Sequence, residues 1–407
     1  MLVPRIPPSP IPCVLLGGLN VTRALGLAGI PVWVVSTEAA DLAFLSRYAI
    51  GHTVLPPLAV AGRAIDALRR LGRGLAHRFG TALPLAFAND EYLRFVYDHR
   101  DAIEREFRVL LNTPQLAEAL FDKEGFAGLA ADLSLPVPAS HAFAELAAVR
   151  HPVIAKPRSK LGWEASPLRQ AAFDGAAKGA IFACGREALA QAWVHRHRDA
   201  LAFQEYVAGG EEDLWCYDGV ADCEGTIVAG YGGHKVRTYP PGAGESSFVV
   251  LARNAELEAV ARDIARRVAL RGMFDMDFKR SRSSGRYYLL EINARYNQWL
   301  YPAARAGMPL CRVLHEKLLD GRSDRWQDAL PRRYHWLAFD LDRRAWRALA
   351  ARGELSFARW AWSLATRRKV YNLFSWSDPR PYTHFVVRLF RRLAARGARK
   401  WRAAKAE

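Results

Sequence analysis

Phe274-Asp-Met-Asp277-Phe-Lys279 and Tyr287-Tyr-Leu-Leu-Glu291-Ile-Asn293-Ala-Arg295 read as two short strands joined by the turn 281–285. Phe274, Met276 and Phe278 in the first, with Leu290 and Ile292 in the second, are apolar, whereas Asp277, Glu291 and Asn293 are polar. Alternation at a period of two places each set on one face of its strand. Two carboxylates and an amide oxygen converging from paired strands form a hard-oxygen site. Mg²⁺ takes such a site, with one or two protein carboxylates and substrate phosphates completing the octahedron. Arg295 points the same way in an extended chain and suits a carboxylate or a developing phosphate charge. A solvated sheet face with Arg295 pairing Glu291 fits the same pattern, and the hairpin alone leaves both readings open.

Upstream of the hairpin, 256–270 has helical spacing and 214–239 reads as two or three antiparallel strands with turns at Asp218-Gly219 and Cys223-Glu224-Gly225. Before them, Gln204-Glu205-Tyr206-Val207 is a strand running into Gly209-Gly210 and the acidic cluster Glu211-Glu212-Asp213. Backbone groups at such a strand edge suit an adenine and a following carboxylate suits ribose hydroxyls, although a hairpin with solvated acids has the same sequence. The chain holds only 10 lysines against 48 arginines, which singles out Lys123, Lys156 and Lys235 at element ends. An ammonium there can meet a phosphate as a point charge. Glu187–His197 is expected as one amphipathic helix.

The N-terminal part alternates strands (Cys13–Leu16, Pro31–Ser36, Ala82–Ala88) with helical stretches, the pattern of a parallel sheet. Gly17-Gly18 after the first strand lacks the fuller dinucleotide spacing and reads as a tight strand-to-helix turn. Asn112-Thr113-Pro114 marks a boundary, with Thr113 as N-cap and Pro114 at the first helical position. The 407 residues allow two or three domains, and 51% apolar with 24% charged residues excludes disordered and fibrous classes. Five scattered cysteines without a CxxC pair, and no start resembling a signal peptide, lead to the expectation of a cytoplasmic protein.

The net charge of +17 is uneven: residues 331–407 hold 19 Lys/Arg against 5 Asp/Glu, leaving the body near neutrality. The same segment carries Trp336, Trp346, Trp360, Trp362, Trp376 and Trp401. It reads as a helical extension packed on the body, or as peripheral contact with an anionic membrane at its inner face; nucleic acid is not expected. Removing everything after about residue 330 is expected to leave nucleotide binding largely intact while lowering affinity for anionic liposomes.

In order, Asp122-Lys123, Pro152-Val-Ile-Ala-Lys156-Pro157, Gln204-Glu205-Tyr206-Val207 with Glu212, Lys235, Asp277-Phe-Lys279 and Glu291-Ile-Asn293-Ala-Arg295 resemble the ATP-grasp superfamily. Ala28-Gly29-Ile30-Pro31-Val32, Ser46-Arg47-Tyr48 and Tyr239-Pro240-Pro241-Gly242 look like its carboxylate–amine ligase branch, which includes D-aspartate ligase. The resemblance implies an α/β (α+β) chain in four parts: a Rossmann-like parallel-sheet domain at 1–112, lobes of an ATP-grasp fold at 113–207 and 208–325, and the basic, mainly helical extension at 326–407. It implies ATP and Mg²⁺, with Mn²⁺ as an alternative. Lys123 and Lys156 would meet the phosphates, Glu205 and Val207 the adenine and Glu212 the ribose. Lys235 would lie near the γ-phosphate, and Asp277, Glu291 and Asn293 on the metal. Arg295 would face the acceptor carboxylate or acyl phosphate, with Arg237 as the other candidate arginine. Asn89, Asp90 and Asn297 are further contacts by position. Two features depart from the pattern: Arg158-Ser-Lys160-Leu-Gly162-Trp163 is glycine-poor where a phosphate lid is expected, with Gly175 and Lys178-Gly179 further on, and Asp275 stands where some relatives have a basic residue. The implied activity is a ligase joining a carboxylate to an amine through an acyl phosphate, and a homodimer is one assembly it allows. A small-molecule kinase and a non-catalytic ATP-binding protein at a membrane are the alternatives.

Overall fold

A computed structural model describes residues 9–159, 179–242, 244–321, 334–366 and 368–404, with side chains described up to residue 395. The expected lid residues Lys160, Gly162, Trp163, Gly175 and Lys178, and the expected 325/326 boundary, lie outside them.

Strands β1 (Cys13–Leu16), β2 (Val32–Ser36), β3 (Ala49–Val54), β4 (Leu83–Phe87) and β5 (Phe107–Arg108) form a parallel sheet in the order β3-β2-β1-β4-β5. All four residues of β1 are buried, as a parallel strand covered on both faces requires. Cys13 and Leu15 enter one core, and Val14 and Leu16 the other. Gly17 and Gly18 have φ of +74° and +90°, and a Cβ on Gly18 would meet that of Ala88 at 2.7 Å, so the pair is a steric device of the turn. Asn89 caps the helix Asp90–Asp98 by accepting from the Tyr92 amide at 2.8 Å. Thr113 caps Pro114–Phe121 and Asp122 caps Lys123–Asp132 in the same way.

The second sheet is β6 (Ser140–His141), β7 (Val153–Pro157), β8 (Ala180–Phe182) and β9 (Leu201–Glu205), in the order β6-β9-β7-β8, antiparallel. The helix expected over Glu187–His197 is two pieces, Gly185–Leu189 and Ala192–Arg196. Ala188 and Val194 both reach this lobe's core, and six positions apart they would diverge by about 120° on one continuous helix.

The third sheet takes β10 (Leu214–Ala221), β11 (Ile227–Tyr239), β12 (Glu245–Leu251), β13 (Gly272–Arg280), β14 (Tyr287–Asn293), β15 (Tyr334–Leu337) and β16 (Arg368–Tyr371), in the order β14-β13-β10-β11-β12-β15-β16. Its outer face (Tyr217, Phe274, Met276, Phe278) is covered by the helix Ala255–Arg267. Its inner face is apolar at one end, where Val220, Tyr231, Leu251 and Met273 share a core with the N-terminal domain. At the other end it is polar. Asp218-Gly219, expected as a turn, lies in the middle of β10. Gly219 is there because the Phe274 ring crosses it, 2.6 Å from where a Cβ would stand.

The C-terminal part is no separate appendage. It supplies β15, which pairs with β12 through Val249↔Trp336, and β16, parallel to β15. Helices Phe339–Ala351 and Phe357–Ala365 follow, and Trp336 and Trp360 are buried. Two buried ion pairs fasten this part to the body: Arg237–Asp342 at 2.7 Å and Arg23–Asp378 at 3.0 Å. Asp378 also accepts from Ser46 Oγ and from the Arg47 amide, both at 2.9 Å, which gives the Ser46-Arg47 dipeptide a structural task.

Candidate active site

Register in the third sheet sets the polar end of its inner face. Asp277 lies between Cys216 on β10 and Glu291 on β14; one pleat along, Asp275 lies between Asp218 and Asn293. A bulge between Asp277 and Phe278 makes Leu290 the extra residue, so Leu289 rather than Leu290 takes the core position, and Glu291 stays beside Asp277. The expected metal trio is thus brought together, with Asp218 and Asp275 beside it.

Lys235 on β11 donates to Asp277 Oδ1 at 2.5 Å and lies 5.0 Å from the Trp299 ring. Burial lowers the pKa of its ammonium, but Asp277, with Cys216 and Asp275 behind it, outweighs burial and raises it overall. Asn293 Nδ2 donates to Asp275 Oδ2 at 3.1 Å and to Glu291 Oε1 at 3.3 Å. Asn297, expected as a contact by position, donates to Asp218 Oδ1, and its own oxygen accepts from the Trp299 amide at 2.8 Å. Oδ2 of Asp218 and Oδ1 of Asp275 are buried without a hydrogen-bond partner. Burial, reinforced by Asp277, pushes the Asp218 carboxyl up to about 7 against the Asn297 hydrogen bond, and burial with Asp277 raises the Asp275 carboxyl as well. Four carboxylates around one ammonium in so little solvent fit a site built to receive cations. The orphaned oxygens show that the protein's own donors leave both carboxyls incompletely bonded.

Between the ordinary value of 3.8 and about 7, the native state holds the Asp218 proton that the unfolded chain has released. Stability therefore falls as pH rises through that window. In EDTA, urea unfolding from about pH 4.5 to 8 should show this fall in the wild type and a flatter profile in Asp218→Asn. Parallel profiles would show that Asp218 is not held neutral.

Arg295 reaches across to the N-terminal domain, bonding Asp90 at 2.7 and 3.3 Å at the start of the helix Asp90–Asp98. Arg237 does not join this face. The chain bulges between Lys235, which pairs with Val249, and Arg237, which pairs with Phe248. Neighbours along a strand point oppositely, so the bulge turns Arg237 to the outer face, onto the Phe248 ring and Asp342. Asn89 is committed to its cap.

The expected nucleotide residues divide between the lobes. Lys156 Nζ on β7 donates to Gln204 Oε1 on β9 at 3.1 Å. Lys123 opens its helix beside β7, its amide donating to Arg158 O at 3.1 Å, while Arg158 pairs with Asp122 and Glu124. Glu205 and Val207 flank Tyr206, whose ring is covered by Lys279 of β13 at 4.1 Å, so the second and third sheets meet here. Glu212 is exposed and pairs with Arg282 from the β13–β14 turn. Its neighbour Glu211 is turned inward to the Thr238 and Gly242 amides, at 2.7 and 3.4 Å.

Asp218 and Cys216 were not singled out from the sequence, because Asp-Gly is a strong turn signal and masked a strand position. The usable signal was the strict alternation of Cys216, Asp218 and Val220 with Trp215, Tyr217 and Gly219.

No family model and no curated protein matches the sequence. Solved structures do match. An L-amino acid ligase from Bacillus licheniformis is similar with a TM-score of 0.56 and 13% identity, over 76% of this chain and 74% of that one. A biotin carboxylase from Campylobacter jejuni in a β,γ-ATP complex gives 0.55 and 13%, over 78% and 72%. The biotin carboxylase domain dimer of Hydrogenobacter thermophilus 2-oxoglutarate carboxylase, with MgADP, ADP and bicarbonate, gives 0.53 and 14%, over 78% and 71%. With a parallel N-terminal sheet, a small antiparallel lobe and a larger one carrying the carboxylate face, the chain has the ATP-grasp fold.

Proposed function

We propose that this protein is an ATP- and Mg²⁺-dependent ligase that joins a small carboxylate to an amine through an acyl phosphate. The observation that carries the reading is the assembly of Asp277, Glu291 and Asn293 on one sheet face, with Lys235 and Arg295 beside them. Asp277, Glu291 and Asn293 fit a hard divalent cation, which when bound would offset charge on the phosphates. Lys156 and Lys123 from the smaller lobe and Lys235 from the larger would hold the nucleotide phosphates, with the adenine near Glu205 and Val207 and the ribose near Glu212. The nucleotides bound in two of the similar structures support nucleotide binding by this fold.

Arg295 would receive the substrate carboxylate, oriented by Asp90. A carboxylate oxygen attacks the γ-phosphorus, the bond to the ADP oxygen breaks, and acyl phosphate and ADP result. The amine nitrogen then attacks the acyl carbon, the C–O bond to phosphate breaks, and the amine's proton leaves with the phosphate as the amide forms. Asp218 and Asp275, with unpaired buried oxygens, offer acceptors for that amine. Fixed charges in a water-poor site do most of the work in phosphoryl transfer, with positioning supplying the remainder.

The test is ADP release from Mg-ATP against a panel of amino acids and small carboxylates, each with and without an amine. Release that needs both partners is expected. Release with a carboxylate or other acceptor alone, leaving a stable phosphorylated product, would make the protein a kinase. Nucleotide binding without release under any condition would make it a non-catalytic binder.

A further inference from the structure

We propose that the C-terminal helix Arg380–Ala404, with the aromatic residues beside it, is a docking surface for an anionic lipid bilayer. It stands independently of the ligase reading. Tyr382, Phe385, Val386, Leu389, Phe390 and Leu393 recur at helical spacing and form one stripe, while Arg380, His384, Arg388, Arg391 and Arg392 occupy the opposite face. Only the start of the stripe is covered: Phe385 and Val386 are half-buried, where the helix rests on the turn Leu42–Leu45. Beyond them Leu389, Phe390 and Leu393 are exposed, Phe390 at 67%. Trp376, 87% exposed, extends the apolar surface through Phe374, whose ring lies 4.8 Å from Trp376 and 5.2 Å from Tyr382.

Charge complementarity decides the occupant. Residues 380–404 contain 8 Lys/Arg and no Asp/Glu. A second copy would bring the same positive helix against this one. A polyanion without an apolar phase would leave Leu389 and Leu393 in water. A bilayer with anionic headgroups takes both faces of a helix lying in its interface. No helix among the described residues is long and apolar enough to cross a membrane, so the helix lies on the surface. An exposed Trp is an interfacial anchor of the same kind.

The surface lies toward the same end of the parallel sheet as Asp90. The turn Leu42–Leu45 follows β2, and Arg388 donates to Ala40 O at 3.1 Å in the same loop. That loop leaves the carboxyl end of the parallel sheet, the end that also carries Gly17-Gly18 and Asp90. The proposed surface and Asp90 thus lie toward one end of the parallel sheet.

The full chain should sediment with phosphatidylcholine vesicles containing about 30 mol% phosphatidylserine at least about tenfold more than with phosphatidylcholine alone, and salt should weaken this. Phe390→Ser with Leu393→Ser, and separately Arg391→Glu with Arg392→Glu, should each lower binding about tenfold or more; these side chains are exposed, so the melting curve should not move. Bromine-labelled lipid chains should quench wild-type tryptophan fluorescence, a measurement that needs no variant. Equal sedimentation with neutral vesicles, binding unchanged in either variant, or no quenching overturns the proposal. So does retention on polynucleotide without vesicle binding, or a dimer that the Phe390/Leu393 variant dissociates.

Discussion

Glu291→Gln should lower Mg²⁺-dependent ADP formation by about 10²–10³-fold while the protein remains folded, the loss typical of removing one preorganised charge from a transition state. Glu291 is only half-buried, and a Gln oxygen can still accept from Asn293 Nδ2, whose bond to Glu291 Oε1 is 3.3 Å. What the substitution removes is one of the carboxylates that gather on this face with a single ammonium, Lys235, in contact with Asp277. The loss should therefore fall on kcat at saturating nucleotide, and binding of ATP measured in EDTA should change little. An unchanged rate in a folded variant would remove the hairpin from the site and the proposed function with it. Loss of nucleotide binding in EDTA would instead give Glu291 a direct contact to ATP.

The hairpin that carries Glu291 was legible because its information is local. Alternation in Phe274–Lys279 and in Glu291-Ile-Asn293, with a glycine-bearing turn between them, is settled by neighbours a few residues away. The misread features are settled at long range. Asp218-Gly219 is held as strand by pairing with Asp275 and Phe274 of β13, and the glycine leaves room for the Phe274 ring. The bulge that turns Arg237 outward is fixed by pairing with Val249 and Phe248. Strands β15 and β16 have four residues each and sit among arginines, so their sequence resembles helix surface until β12 offers an edge to pair with. Asp275 was legible as a departure, but its meaning was not. Only the register opposite Asp218 shows that it sets a second buried carboxyl at one point of the sheet.

Asp342→Ala should destabilise the protein by about 3–5 kcal/mol, the cost of leaving a buried charge without its partner. Both side chains are shielded, at 5% and 0% exposure for Arg237 and Asp342, and Asp342 also accepts from Ser247 Oγ at 3.0 Å and Trp360 Nε1 at 2.8 Å. Its loss leaves three donors from three elements facing a void. Urea unfolding gives the number, and Arg237→Met with Asp342→Leu separates its causes, since replacing both members of a buried pair by apolar groups is often near neutral. That double variant should recover more than half of the loss. It should also retain ADP formation, because Arg237 faces away from Lys235 and the carboxylates. If ADP formation is lost in a double variant as stable as the wild type, Arg237 acts on the reaction after all. The same contacts reverse the expectation for a chain ended at residue 330. Such a chain would strip β15 from β12, bare the core that Trp336 closes, and remove the partners of Arg23 and Arg237. It should fail to fold rather than survive as an intact nucleotide clamp. The basic tail is thus built into the body through its strands and ion pairs, while its last helix keeps an exposed apolar stripe.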